Sequence, residues 1–303
     1  MPANDRHLGA LLGLAVGDAV GTTVEFKPRG TFEPLTDMVG GGPFELEPGQ
    51  WTDDTSMALC LATSLVECGG FDARDQMARY LRWRDEGYLS STGSFFDIGV
   101  TVNAALTRFA RTGEPYSGSP DPRSAGNGSI MRLAPVVLFF HPDRDAASHH
   151  AAESSRTTHD AQEAVDACRL LASILSRALD GASKADALLG DADTFTGAKA
   201  IQALARGDWR DKSEHEISGT GYVVPSLEAA LWSVWTTESF EAAILCAANL
   251  GDDADTTAAV AGQIAGALYG RSGIPQRWLE RLAMREEIEG LGMRLLNRGR
   301  TKS

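Results

Sequence analysis

The sequence of 303 residues has few cysteines, and they do not form a pattern. The four are scattered without a CxxC pair, and three of them lie in apolar runs. A disulfide framework or a zinc site needs paired or regularly spaced cysteines, so this arrangement favours reduced core thiols in a cytoplasmic protein. The cysteines are Cys60, Cys68, Cys168 and Cys246.

Positive charge is also scarce, because 28 basic residues face 41 acidic ones and the formal net charge is −13. This balance argues against a nucleic-acid-binding face, but backbone amides or a metal could still attract a phosphate-bearing ligand.

The first apolar run, 8–20, is short; Asp18 lies inside it and Glu25 follows it closely. No basic start or small-residue cleavage site precedes it, so we expect neither a secretion signal nor a membrane span.

Strand patterns are nearly absent, and 136–140 and 222–224 are the only candidates. The run 129–140 is interrupted by Pro135, which predicts a short turn and a second segment. Without a repeat, a low-complexity tract or a linker, we predict one all-α domain spanning 1–303, with a core of about 8–296. The predicted helices are 8–20, one after Thr52 (a candidate N-cap), 72–86, one from near Asp97, 143–155, 160–180, 195–206, 226–235, 239–249, 256–269 and 275–296.

Glycines recur every fourth residue in the first helix, at Gly9, Gly13, Gly17 and Gly21. Each glycine inside a helix costs about 1 kcal/mol relative to alanine. Such a stripe makes sense if another helix backbone packs closely against it. The late apolar helix has the same spacing at 262 and 266, so we predict that these two helices pack together.

The segment 250–257 sets three carboxylates and two hydroxyls between two apolar runs. Two carboxylates about 5 Å apart repel by roughly 3 kcal/mol at an effective dielectric of 20. Helix capping would explain one acid at this position, but three suggest a cation. Asp252, Asp253 and Asp255 are the acids, and Thr256 and Thr257 supply the hydroxyls.

A second acidic stretch, Thr52-Asp53-Asp54-Thr55, follows a long loop at 22–52 that is rich in glycine and proline. It also places acids and hydroxyls at a helix start, which again allows a capping interpretation. If the two stretches converge, their oxygens suit two Mg²⁺ or Mn²⁺ ions. Convergence of these helix starts is therefore the test of a metal site.

The loop 126–129 has glycines that would let backbone N–H groups approach an anion, although an ordinary turn is the alternative. Glu25 and Asp97 each lie beside a glycine-containing loop, where they could be functional or merely solvated acids. His159 could cap the helix that follows it, and Tyr222 could belong to the core. None of these four residues defines a site by itself.

Taken in order, these stretches resemble the ADP-ribosylglycohydrolase family, the DraG-like hydrolases. The resemblance extends from residue 8 to about 270. The paired Thr-Asp-Asp and Asp-x-Asp-Thr motifs, with the Gly-Asn-Gly-Ser loop between them, make it specific. The matching segments are 13–21 with Glu25-Phe26, 51–57, 97–101, 126–135, 158–159, 221–231 and 251–259.

The resemblance implies an all-α fold with a central binuclear Mg²⁺ (or Mn²⁺) site that removes ADP-ribose from modified proteins. In the family pattern, His159 and the loop residues Gly126, Asn127, Gly128 and Ser129 would contact the diphosphate and nearby ribose. Tyr222 would stack on the adenine, while Glu25 and Asp97 would face the distal ribose. The implied metal ligands are Thr52, Asp53, Asp54, Asp253, Asp255 and Thr256.

The implied reaction is cleavage of the N-glycosidic bond between ADP-ribose and an arginine side chain of a protein. By hypothesis the metals orient the ribose hydroxyls and a water, with Asp54 and Asp255 essential to them. Glu25 and Asp97 are the acid/base candidates, and the sequence does not rank them. The alternatives are a catalytically silent ADP-ribose-binding module, or a hydrolase of serine-linked ADP-ribose or of a small metabolite.

Overall fold

A computed structural model describes residues 3–300 of the chain. Within them the fold is all-α, as predicted, and strand pairing is limited to isolated bridges. The helices are α1 (Ala3–Gly21), α2 (Asp53–Cys68), α3 (Ala73–Glu86), α4 (Val100–Thr112), α5 (Ala134–Phe140), α6 (Arg144–Arg156), α7 (Gln162–Leu179), α8 (Lys184–Leu189), α9 (Lys199–Arg206), α10 (Val223–Trp235), α11 (Phe240–Asn249), α12 (Ala254–Tyr269), α13 (Gln276–Arg281) and α14 (Arg285–Arg300).

Both strand candidates are helical. The run 136–140 lies in α5, and 222–224 comprises the N-cap and first turn of α10. Short apolar runs fit a buried helix as well as a strand, so the pattern could not separate the two. Pro135 stands in the first turn of α5, where its missing N–H has no intrahelical partner to lose.

Some helices differ from the prediction, and local backbone conformation explains two of the differences. The fourth helix begins at Val100 rather than near Asp97, because Asp97 adopts a left-handed conformation with φ of 57°. The predicted helix 275–296 is two helices, and Met284, with φ of 53°, lies in the break. The six-residue α8 was too short to give a helical pattern.

Helices α1 and α12 form the centre of the fold and pack antiparallel along the glycine stripe, as predicted. A Cβ added to Gly13 would lie 2.2 Å from the carbonyl oxygen of Gly262, and one on Gly17 would lie 2.1 Å from that of Ala258. The two backbones are therefore in direct contact. This register places the start of α12 against Gly21, at the end of α1.

The segment Asn4–Val24 is long and apolar enough to cross a membrane by length and composition alone. However, 89% of its apolar window is buried inside the protein. Its partners are the other helices of the core, above all α12. The apolar character of α1 is thus explained by its central position. All four cysteines are free; Cys60 and Cys168 are buried, as expected of core thiols, whereas Cys246 is half-buried and Cys68, the last residue of α2, is exposed.

Substituting Gly17 with alanine should destabilise the protein by about 1–3 kcal/mol or more, because the new methyl group would meet the backbone of α12. The matched control is Gly290→Ala in α14, where a Cβ would meet nothing within 4 Å. There alanine should be neutral or stabilising by up to about 1 kcal/mol. Urea denaturation measures both changes, and equal stability of the two variants would contradict the packing.

Candidate metal centre and binding cleft

A cleft of about 790 Å³ opens where the starts of α2, α4 and α12 meet the loop at 126–128. Most of the predicted site residues line it. Four predicted residues do not line it. Thr52, Asp54 and Ser129 are buried, and Tyr222 is partly exposed. The predicted residues in the lining are Glu25, Asp53, Asp97, Gly126, Asn127, Gly128, His159, Asp253, Asp255 and Thr256.

The two acidic stretches converge, although about 200 residues separate them in sequence. Carboxylate oxygens of Asp53, Asp54 and Asp255 lie within 4.8 Å of one another. The hydroxyl oxygen of Thr256 lies 3.3 Å from an oxygen of Asp54. A second group with the same spacing joins Asp255 to Glu25 and Asp97, so Asp255 belongs to both groups.

A buried carboxylate on α1, Asp18, holds the start of α2 in place. Its Oδ1 accepts hydrogen bonds from the backbone N–H and the hydroxyl of Thr52, at 2.9 and 2.8 Å. Its Oδ2 accepts the same pair of bonds from Thr55, at 3.0 and 2.6 Å. Thr52 is the N-cap residue, as predicted, but its side chain makes no capping bond within α2. Asp18 from another helix performs the capping instead.

Sequence reasoning did not single out Asp18 as a site residue. The only signal was its position as the one acid inside the apolar run 8–20. A buried acid in such a run needs hydrogen-bond partners, but the sequence does not say where they come from. The partners lie on α2, more than 30 residues further along the chain.

Burial raises the pKa of the clustered carboxyls, and neighbouring acids raise it further. The pKa of Asp53 is raised by burial and then by Asp97, and that of Asp255 by burial and then by Glu25. Burial and the charge of Asp97 raise the pKa of Glu25 to about 9. Burial raises the pKa of Asp97 to about 6, against a hydrogen bond from Asp53 that lowers it. The cluster therefore needs protons or a cation to fold stably.

The donor set fits a hard divalent cation. One oxygen of Asp54 and one of Asp255 are buried without a hydrogen-bond partner, which is costly for a carboxylate. The Thr52 hydroxyl, which lies 2.8 Å from Asp18, is also 3.3 Å from an oxygen of Asp255, so it belongs to the same group of oxygens. All the donors are oxygens, as Mg²⁺ and Mn²⁺ prefer.

The opposite wall is the loop at 126–129, which is tied to the acidic cluster. The side-chain amide of Asn127 donates to Asp253 at 2.6 Å and to Ser226 at 3.0 Å. Its backbone N–H donates to the carbonyl of Gly221 at 3.1 Å. This loop therefore connects the start of α12 to the start of α10.

The ring of His159 packs against the two glycines of this loop. A Cβ on Gly126 would lie 3.2 Å from Nε2 of the ring, and one on Gly128 would lie 2.8 Å from Cε1. Burial and then the charge of Arg132 lower the pKa of His159 to about 3, so the ring is neutral at physiological pH. The glycines thus let a neutral imidazole form part of the cleft wall.

Tyr222 is the N-cap residue of α10 and pairs with Gly126 in an isolated bridge. Its hydroxyl donates a hydrogen bond to Glu163, and its side chain is partly exposed at 38%. The ring is therefore held beside the loop while part of it stays accessible. A stacking role for Tyr222 stays a prediction.

Comparison with known proteins gives one consistent result. A family model described as ADP-ribosylglycohydrolase matches residues 1–303. The chain is 49% identical over 296 residues to ADP-ribosylarginine hydrolase Tri1 of Pseudomonas putida, covering 98% of this chain and 79% of that protein. It is 34% identical over 300 residues to the ADP-ribosyl-[dinitrogen reductase] glycohydrolase of Rhodospirillum rubrum, covering 94% and 93% of the two chains.

A solved structure described as an ADP-ribosylglycohydrolase-related protein complex also resembles the chain. Its TM-score is 0.87 at 46% sequence identity, and the match covers 98% of this chain and 99% of that one. The all-α fold is therefore shared along nearly the whole length of both chains.

The metal-free protein should lose stability as the pH rises from about 5 to 9. A raised pKa means that the folded state keeps protons that the unfolded state releases, so the stabilisation is complete below pH 4. This stabilisation is lost as the pH rises through the pKa of Asp97, about 6, and then through the pKa of Glu25, about 9. Urea denaturation in chelator at several pH values measures this loss.

Glu25→Gln should flatten the upper part of this pH profile, because glutamine does not titrate. Addition of Mg²⁺ should restore stability at pH 8 if the cluster binds the ion. A free energy of unfolding that increases with pH in chelator would contradict the assignment of raised pKa values.

Proposed function

The chain belongs to the ADP-ribosylglycohydrolase family, and we propose that it is a hydrolase that removes ADP-ribose from arginine side chains of modified proteins. The observation that carries the proposal is the convergence of both acidic stretches and the glycine loop on one cleft. Two relatives named ADP-ribosylarginine hydrolase, from Pseudomonas putida and Serratia proteamaculans, support the arginine linkage. The protein substrate is thus expected to enter through an arginine side chain.

The acidic cluster is proposed to hold two Mg²⁺ ions, or Mn²⁺ in their place. Bound there, such ions would act as Lewis acids that orient the substrate and stabilise negative charge on its oxygens. The unpartnered oxygens of Asp54 and Asp255 support this assignment. The proposed ligands are Thr52, Asp53, Asp54, Asp253, Asp255 and Thr256.

The loop Gly126-Asn127-Gly128-Ser129 is proposed to bind the diphosphate. Within residues 3–300 the backbone N–H groups of Gly128 and Ser129 donate no hydrogen bond to protein, and Gly128 lines the cleft where an anion would lie. Free N–H groups in a glycine-containing turn are a known way to hold phosphate oxygens. This feature explains how a protein with a net charge of −13 can accept an anionic ligand.

The two ends of ADP-ribose would then lie on either side of this loop. The adenine would stack on the exposed part of the Tyr222 ring, and this contact would bury apolar surface of both rings. Glu25 and Asp97 lie beside Asp255, at the acidic end of the cleft, and would face the distal ribose.

The chemical step needs one carboxyl that donates a proton and one that accepts a proton. One of Glu25 and Asp97 would donate a proton to the departing guanidine nitrogen as its bond to the ribose carbon breaks. The other would accept a proton from the water that forms the new carbon–oxygen bond. The products are ADP-ribose and an unmodified arginine. We propose that this occurs in the cytoplasm, where the four free cysteines would stay reduced.

A panel of arginine-, serine- and nucleic-acid-linked ADP-ribose tests the activity directly. With Mg²⁺ the protein should release ADP-ribose from the arginine-linked substrate fastest, and chelator should abolish the release. Chromatography of free ADP-ribose measures the product. Tight binding of ADP-ribose without release from any substrate would contradict the proposal and favour a binding module.

Asp54→Asn and Asp255→Asn should each lower kcat/KM by about a hundredfold or more, because each removes a charged ligand. Both variants should stay folded in chelator, since they relieve repulsion among buried acids. They should also lose the Mg²⁺-induced rise in Tm. Asp252→Asn is the control for loss of one negative charge in the same segment, because this partly exposed acid lines the cleft but lies outside both groups of clustered carboxylates. Full activity in both cluster variants would refute the metal site.

A further inference from the structure

Arg132 is fully buried and carries a charge that no carboxylate neutralises. Among residues 3–300 it forms no ion pair, and its Nε has no hydrogen-bond partner. Its guanidinium donates to the carbonyl of Gly128 at 2.7 Å and to the hydroxyl of Thr158 at 2.6 Å. The guanidinium also lies 4.9 Å from the ring centre of Tyr80. Burying a charge without a counter-ion costs folding free energy, so the presence of Arg132 here suggests a role beyond packing.

The contact with Thr158 determines where the protons lie. A guanidinium can only donate, so the Thr158 oxygen accepts from Arg132. The single hydroxyl hydrogen of Thr158 is then free for its other neighbour, Nδ1 of His159, at 2.9 Å. If Nδ1 carried a hydrogen instead, the hydroxyl hydrogen would have no acceptor among the described contacts. Nδ1 is therefore the acceptor, and in a neutral ring the proton is on Nε2.

The protonated edge of the ring belongs to the cleft. His159 is part of the cleft lining, and its Nε2 and Cε1 atoms are the ones closest to Gly126 and Gly128. Within the described part of the chain, Nε2 makes no hydrogen bond to protein. Arg132 holds the carbonyl of Gly128 as well, so one side chain fixes both the glycine loop and the histidine.

We propose that Arg132 and Thr158 are positioning residues that fix His159 as the neutral tautomer with its proton on Nε2, so that the ring donates a hydrogen bond to a phosphate oxygen of the ligand. The identity of the ligand as a diphosphate rests on the proposed function; the tautomer does not. The other tautomer would turn a lone pair toward the anion and repel it. The buried charge of Arg132 adds attraction for the anion without a surface cation.

The tautomer is measured by the ¹⁵N chemical shifts of the His159 ring in the ligand-free protein at pH 7. The wild type should show a protonated Nε2 and an unprotonated Nδ1, and Thr158→Ser should keep this state. Thr158→Val removes the hydroxyl at nearly constant shape and should give a mixture of tautomers. The matched control is Thr157→Val, because this neighbouring hydroxyl is equally buried but bonds to Ser154 and Gln76. A wild-type proton on Nδ1 would overturn the proposal.

Ligand binding gives the second readout, by calorimetry with the same variants. Thr158→Val should weaken ADP-ribose binding by roughly twofold to tenfold, because only the fraction of molecules with the proton on Nε2 binds at full affinity. Binding of adenosine, which has no phosphate, should stay the same. Loss of affinity equal to that of Thr157→Val, or an equal loss for adenosine, would refute the proposal. If the wild-type protein binds ADP-ribose but hydrolyses none of the ADP-ribosylated substrates, that result would contradict only the proposed function.

Discussion

The direct contact between the backbones of α1 and α12 is the constraint on which the rest of the structure depends. Carbonyl oxygens of one helix occupy the space where side chains of the other would begin, as at Gly13 and Gly262. Because the contact leaves no room for adjustment, it fixes the register of the two helices. That register sets the start of α12, with Asp255, beside the end of α1 and the adjoining Glu25. Asp18, on the same helix, fixes α2, so α1 positions both acidic stretches.

The candidate centre shows how a stable scaffold accommodates an unstable arrangement of charge. Carboxylates that repel one another are buried where water cannot screen them, and the pKa values of Asp53, Asp54 and Asp255 are raised accordingly. The surrounding helices resist the repulsion because they are packed across α1 rather than held by the acids themselves. An arrangement of this kind favours the uptake of cations, which remove the repulsion and supply the missing ligands. Behind the loop at 126–129, the positive charge of Arg132 is buried without an ion-pair partner among the described residues.

The sequence predicted the elements of the site better than their connections. The acidic stretches and the glycine loop were recognisable because each is a short local pattern at a helix start. The helical stripe of glycines also predicted its own partner, since both helices repeat every fourth residue. The roles of Asp18 and Arg132 could not be predicted, because each depends on contacts with distant residues such as Thr55 or Thr158. The break before α14 was missed because the backbone conformation of Met284 has no sequence signal.

The pairing of α1 with α12 also determines when the cleft can form during synthesis. The two contact faces are about 250 residues apart in the sequence, a separation that makes closure entropically costly and slow. At ordinary translation rates the glycine face of α1 leaves the ribosome roughly 10–50 s before its partner does. During that interval the glycine face of α1 lacks the helix that covers it, although α2 and α5 are already available to other faces. The nascent chain is therefore exposed to premature association for longer than a chain whose central helices are adjacent in sequence.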